Sequence, residues 1–135
     1  MQKLIALKKI KIERNFTRAL ESAQRLIRPT QEPFSWKLPS EWATGSWLMA
    51  QFENAGFKNH VSVKPVPDRM EAGSVEEMVE NLMLGKDMFC KGYSEQEVEG
   101  LRSVLGGEIE KLEAFERTEW DVGIAMEAWV AVAWK

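Results

Sequence analysis

The chain has 135 residues, enough for one domain with a real core, and its apolar (44%) and charged (29%) fractions are those of an ordinary globular protein. A net charge of −3 speaks against a nucleic-acid-binding surface, and no apolar run reaches the roughly 20 residues of a membrane helix. The single cysteine, Cys90, excludes an intrachain disulfide and fits a reducing compartment, so a cytoplasmic protein is expected.

In chain order, the start through Lys9 is basic and apolar, but its lysines interrupt any signal-peptide core. Residues 3–12 fit neither period cleanly and read as a lysine-studded edge strand or a ragged helix extension. Asn15 can cap a helix whose stripe is Phe16, Leu20, Ala23 and Ile27, ended by Pro29. The loop from Pro29 to Pro39 carries Phe34, Trp36 and Leu38, either packed on its own core or forming a pocket wall. A short helical turn near Trp42 precedes a helix over 46–55 that points Trp47, Leu48 and Phe52 inward and stops at Gly56.

Residues 57–66 alternate as a strand, and Pro65 restricts it to an edge or a bulge. Ser74 and Glu77 form a capping box before a helix expected to reach Met88. A second box, Ser94 and Glu97, is flanked by Tyr93 and Val98 as a hydrophobic staple. The helix that follows is expected to break at Gly106-Gly107 and resume through Ile109, Leu112 and Phe115. The chain closes on the near-continuous apolar run 122–134, a strand buried on both faces. One of those faces is made of small residues, so something can pack close to it or a ligand can fit there. The order is therefore an α+β fold with two or three strands per chain in a mostly antiparallel sheet, covered by about five helices, in a single domain of residues 1–135.

Little chemistry is announced by motif. There is no GxGxxG, GxxxxGK[ST], CxxC or HExxH, and one histidine with one cysteine cannot build a zinc site, so no cofactor and no metal are expected. His60 opens the 57–66 strand as a surface or hydrogen-bonded histidine, or as an acid–base group. Glu127 is the one ionisable group of the last strand; it pairs with Arg69 or Lys64, or else its pKa rises and it becomes a general acid or base. Tyr93 is a helix staple first and a proton donor second, while Cys90 reads as a small core residue rather than a nucleophile. Six tryptophans favour a large apolar pocket or interface, and Met78, Met83 and Met88 read as core residues that can also line a ligand cavity.

Three stretches carry a resemblance: Ser74–Glu80, Leu84–Val98 and Val122–Ala133, with Phe16–Leu20, Ile27–Pro29, Pro39–Trp42 and Ala55–Phe57 upstream. Their order and spacing resemble the C-terminal part of class I S-adenosylmethionine-dependent methyltransferases, closest to the UbiE-like small-molecule enzymes of fungal secondary metabolism. No single motif among them is diagnostic. The resemblance implies a truncated methyltransferase-like fold, because the family's glycine-rich cofactor turn and acidic residue precede the part matched here. It also implies that the 29–47 loop and the 74–93 helix line a substrate pocket, with Phe34, Trp36, Met83, Met88, Phe89 and Trp129 as substrate-binding residues.

By the same comparison the last strand needs a partner on each side. Residues 57–66 supply one; residues 3–12 or a second copy of the chain supply the other, which predicts a homodimer that completes the sheet. The function expected is a cofactor-independent cyclase or isomerase, pericyclic ring closure included, acting on a hydrophobic polyketide-like intermediate, with Glu127, His60 and Tyr93 as candidate catalytic groups. The alternative is a non-catalytic binding protein that pairs with or regulates an intact methyltransferase, and a gene fragment without a selected role is the third.

Overall fold

The computed structural model describes residues 5–10, 13–35, 41, 44–57 and 61–133, with side chains from Phe16 onward. Expectations placed on Trp36, Trp42, His60 and Trp134 lie outside these residues. The elements are β1 (Ile5–Ile10), α1 (Glu13–Ile27), α2 (Gly45–Asn54), β2 (Val61–Ala72), α3 (Val75–Met83), α4 (Lys86–Phe89), α5 (Glu95–Glu110), β3 (Phe115–Arg117) and β4 (Val122–Ala133). The fold is α+β, and its sheet has the order β1-β4-β2, with the short β3 also paired to β4. The residues fall into two compact units: 13–36 with 69–125, and 1–12 with 37–68 and 126–135.

In the larger unit, α1 buries Phe16, Ala19, Leu20 and Ala23 along one stripe, and α5 packs against both α1 and α3. Leu101, Leu105 and Ile109 of α5 are wholly buried with Met78, Val79 and Met83 of α3 and with Val122 and Ile124 of β4. Each such side chain removed from water stabilises by about 1.5–3 kcal/mol. That sum explains why α5 runs unbroken through Gly106-Gly107, against the expected break, since two glycines cost only about 1 kcal/mol each in a helix. Gly106 also serves packing: a Cβ there would stand 3.1 Å from Val75 Cγ1, so its absence lets α3 and α5 approach. The helix stops at Glu110, and Phe115 belongs to β3 rather than to a helical continuation.

Two other boundaries move. Helix α1 begins at Glu13, so Asn15 lies inside it instead of capping it, and α3 ends at Met83, with only the single turn α4 between it and Cys90. One of the two capping boxes forms in full: the Ser94 hydroxyl accepts from Glu97 N at 3.1 Å while Glu97 accepts from Ser94 N at 3.0 Å. At α3 the Ser74 hydroxyl caps Glu77 N, but Glu77 reaches one residue further back and accepts from Gly73 N.

The smaller unit is built on the second half of β4. Ala131 and Ala133, fully buried, form a shallow face into which α2 sets Leu48 and Phe52, with Phe57 edge-on to Phe52 at 5.7 Å. Thr44 caps α2 through Trp47 N. On the sheet, β1 pairs antiparallel with β4 from Ile5↔Ala133 to Ile10↔Ala128, so residues 3–12 supply a strand.

Strand β4 thus has β1 and β2 on its two sides within one chain, and the flank that called for a second copy is already filled. The outer strands carry features that blunt an edge: Lys8 and Lys9 on β1, Pro65 and Pro67 on β2. Strand β2 itself spans Val61–Ala72 rather than 57–66, and Phe57 packs in the core of this unit.

Candidate functional site

The residues expected to form one site separate into different surroundings. Phe34, Met88, Phe89 and Tyr93 converge in the larger unit on a depression of about 230 Å³, although 53 residues of chain lie between Phe34 and Met88. Met83 is buried in the core of that unit. Trp129 belongs to the other unit, where its ring closes over Gly45: a Cβ on Gly45 would lie 3.0 Å from the indole. Glu127, expected to be buried, is exposed. It stands between the stretch of β4 that β3 pairs, Val122–Ile124, and the stretch that β1 pairs, Ala128–Ala133. Trp36 and His60 lie outside the described residues.

The depression is held by a buried glutamine that the sequence reading passed over. Gln24, 2% exposed on α1, donates from Nε2 to the Phe89 carbonyl at 2.9 Å and accepts at Oε1 from Phe34 N at 3.0 Å. One side chain therefore ties both walls to the same helix, and its buried polar atoms are satisfied in doing so. A signal was present: Gln24 sits four residues after Leu20 and three before Ile27, a polar residue on the apolar stripe.

Arg28, just past the end of α1, fixes the adjoining turn. Its guanidinium makes a two-pronged ion pair with Glu97 (Nε to Oε2 at 2.6 Å, Nη2 to Oε1 at 2.9 Å). It also donates to the Gly92 carbonyl at 2.6 Å and to Gln31 Oε1 at 2.5 Å. The same group lies over the Tyr93 ring, 4.4 Å from its centre, in cation–π contact. The turn Cys90–Tyr93 closes with Tyr93 N donating to the Cys90 carbonyl, and Gly92 takes the positive φ of 81° that such a turn demands.

Electrostatics follow from these contacts. The Arg28 hydrogen bonds, helped by the Ser94 N–H, hold the Glu97 carboxyl down at about 2, and Glu97 in turn raises Arg28. Burial pushes the Tyr93 hydroxyl up, with Gln24 and Arg28 pulling part of the way back, so the phenol is protonated at neutral pH and serves as a donor. Burial likewise raises the Cys90 thiol, which fits a packed core cysteine rather than a nucleophile.

A wider open groove of about 550 Å³ adjoins, lined by Lys86, Asp87, Cys90, Val98 and others; it shares Lys91 and Tyr93 with the depression. Arg69, considered as a partner for Glu127, holds Asp121 in a two-pronged pair (2.9 and 3.0 Å) and reaches Glu116 and Glu71. Its guanidinium crosses Gly123, where a Cβ would come within 2.4 Å of Arg69 Nε. Among the described residues no three His, Cys, Asp or Glu side chains are placed to hold a metal ion, and no helix is long and apolar enough to cross a membrane.

No known family model matches the chain, and no curated protein does either.

Proposed function

We propose that the chain is a small-molecule biosynthetic protein that grips a hydrophobic, polyketide-like intermediate in the depression at Phe34, Met88, Phe89 and Tyr93. The observation that supports this is the convergence of four candidate residues, distant in sequence, on one concavity whose walls Gln24 holds rigid. Sites for small molecules have this composition, mostly apolar and aromatic with a few placed polar groups. The methyltransferase-like origin of the fold and the absence of an S-adenosylmethionine site are parts of the same proposal.

Turnover in such a site is a cofactor-independent cyclisation or isomerisation achieved by holding a reactive conformer, with Tyr93 as the hydrogen-bonding group. Glu127 is exposed, which removes the burial that argued for acid–base chemistry there. The same fact favours a second reading, a non-catalytic binding protein that pairs with or regulates an intact methyltransferase. Both readings require the ligand. A homodimer built by sheet pairing would have to use an outer strand, β1 or β2, because both sides of β4 are occupied.

Thermal shift with a panel of planar aromatic and polyene compounds, beside S-adenosylmethionine, tests the reading. Bound at a hundredfold excess over Kd, a ligand stabilises by about 2.7 kcal/mol. Met88 is exposed enough (44%) that Met88→Asp leaves the ligand-free Tm unchanged while placing a charge in the depression. The expected result is a Tm rise with a planar ligand that Met88→Asp abolishes. No rise with any compound, or a rise with S-adenosylmethionine instead, overturns it.

A further inference from the structure

The polar groups around the depression are nearly all spoken for by the protein itself. Gln24 is consumed by Phe34 N and the Phe89 carbonyl, and the Gln31 side-chain oxygen by Arg28. Glu32, Lys91 and Tyr93 remain, and the last two are the residues common to the depression and the wider groove; Gln24 already donates toward the Tyr93 oxygen, which leaves the phenol O–H to give. Among the described residues Lys91, like Arg18, Arg25 and Lys86 of the same unit, forms no ion pair, while Arg28, Arg69, Arg102, Lys111 and Arg117 do; of the unpaired cations Lys91 is the one that lines the depression. Lys91 also occupies a fixed corner of the Cys90–Tyr93 turn, which Arg28 clamps at the Gly92 carbonyl and Gln24 steadies at the Phe89 carbonyl.

An ammonium has donors and no acceptor, and a protonated phenol gives its best hydrogen bond to an anionic oxygen. A ligand seated here must therefore bring acceptors. Carboxylates set the limit on the other side. Asp87, Glu95 and Glu99 line the wider groove, so an acidic head is favoured at the junction with Lys91 and disfavoured further along. Glu32, the carboxylate lining the depression, is exposed, as Lys91 is, and solvent screens both.

We infer that the ligand is an aromatic or polyene acid, its apolar body against Phe34, Met88 and Phe89 and its carboxylate or enolate oxygen received by Lys91 and Tyr93. This rests on the reading of the depression as a small-molecule site and adds the chemical class of the occupant.

Two probes of the same shape test it on the full chain: 2-naphthoate, an anion, and 2-naphthamide, its neutral counterpart, titrated by ligand-observed NMR. At low salt the naphthoate should bind roughly threefold to tenfold tighter, the range of a partly exposed charge pair, and the gap should narrow at about 0.5 M salt. Lys91→Gln should erase the preference, bringing naphthoate binding down to the level of naphthamide. The control Lys64→Gln, a change of equal charge on β2, should preserve it. Equal binding of the two probes to the unaltered chain overturns the acid inference and leaves the depression intact as a site. A preference that survives Lys91→Gln overturns the assignment to this residue. Binding of neither probe brings down the site itself along with the inference.

Discussion

Gln24 shows how one polar side chain can fix a site from inside a core. Replacing it by alanine leaves the Phe89 carbonyl buried without its donor and frees Phe34 N from its acceptor. An orphaned buried group costs roughly 1–3 kcal/mol, which in a chain of this size lowers Tm by about 3–9 °C. Gln24→Ala should therefore show a loss in that range by calorimetry, together with weaker binding of any ligand whose position depends on Phe34. A Tm within about a degree of the unaltered chain would mean that the two walls are held by something else.

The Arg28–Glu97 pair gives a second expectation at the same scale, this time in pH. Glu97 titrates near 2 in the folded chain against an ordinary 4.5, so the unfolded chain takes up its proton first as pH falls. Its contribution is fully present above about 4.5 and is lost as pH drops toward about 2. The stability gap between the unaltered chain and Glu97→Gln should be flat from neutral pH to about 5 and should close progressively below it, as read by denaturant titration at a series of pH values. A gap that is constant over the whole acid range would remove the ion pair as its cause.

Helix α5 illustrates how an element can override its own sequence. The two adjacent glycines look like a breakpoint, yet they occupy different environments: Gly106 faces Val75 of α3, while nothing stands within 4 Å of a Cβ on Gly107. Gly107→Ala should stabilise by about 0.5–1 kcal/mol, the usual gain from removing a helical glycine. Gly106→Ala earns the same propensity but must push Val75 aside, so its net gain should be smaller or reversed. Equal shifts in Tm for the two variants would show that α3 and α5 do not meet as closely as Gly106 implies.

The legibility of other elements follows the same logic. The caps at Ser74 and Ser94 were readable because their chemistry is local, three residues apart in each case, although only the Ser94 box closes in both directions. The burial pattern of β4 was readable at its ends and failed at Glu127, since exposure there depends on tertiary packing that the alternation of the strand does not encode. Strand β3 was hidden altogether: three residues in length, it exists through its pairing with β4 and has no pattern of its own. The Arg28–Glu97 pair spans 69 residues, and nothing local to either one announces it.

At the scale of the whole molecule, α+β architecture and the central place of the last strand were legible from the order of elements and from the apolar run. The pairing of residues 5–10 was left open because a lysine-studded segment suits an edge strand and a ragged helix alike. The division into two packing centres was not legible, since both β2 and β4 contribute residues to each unit without a change in composition at the boundary.

The register of β1 has a temporal consequence. Ile5 lies opposite Ala133, so the two cannot meet until all the residues between them have been translated. At ribosomal speeds of about 5–20 residues per second, the interval is on the order of ten seconds. Until then β1 lacks the β4 strand it pairs with and water takes the place of that ladder, so the step that seats β1 is a late, long-range one.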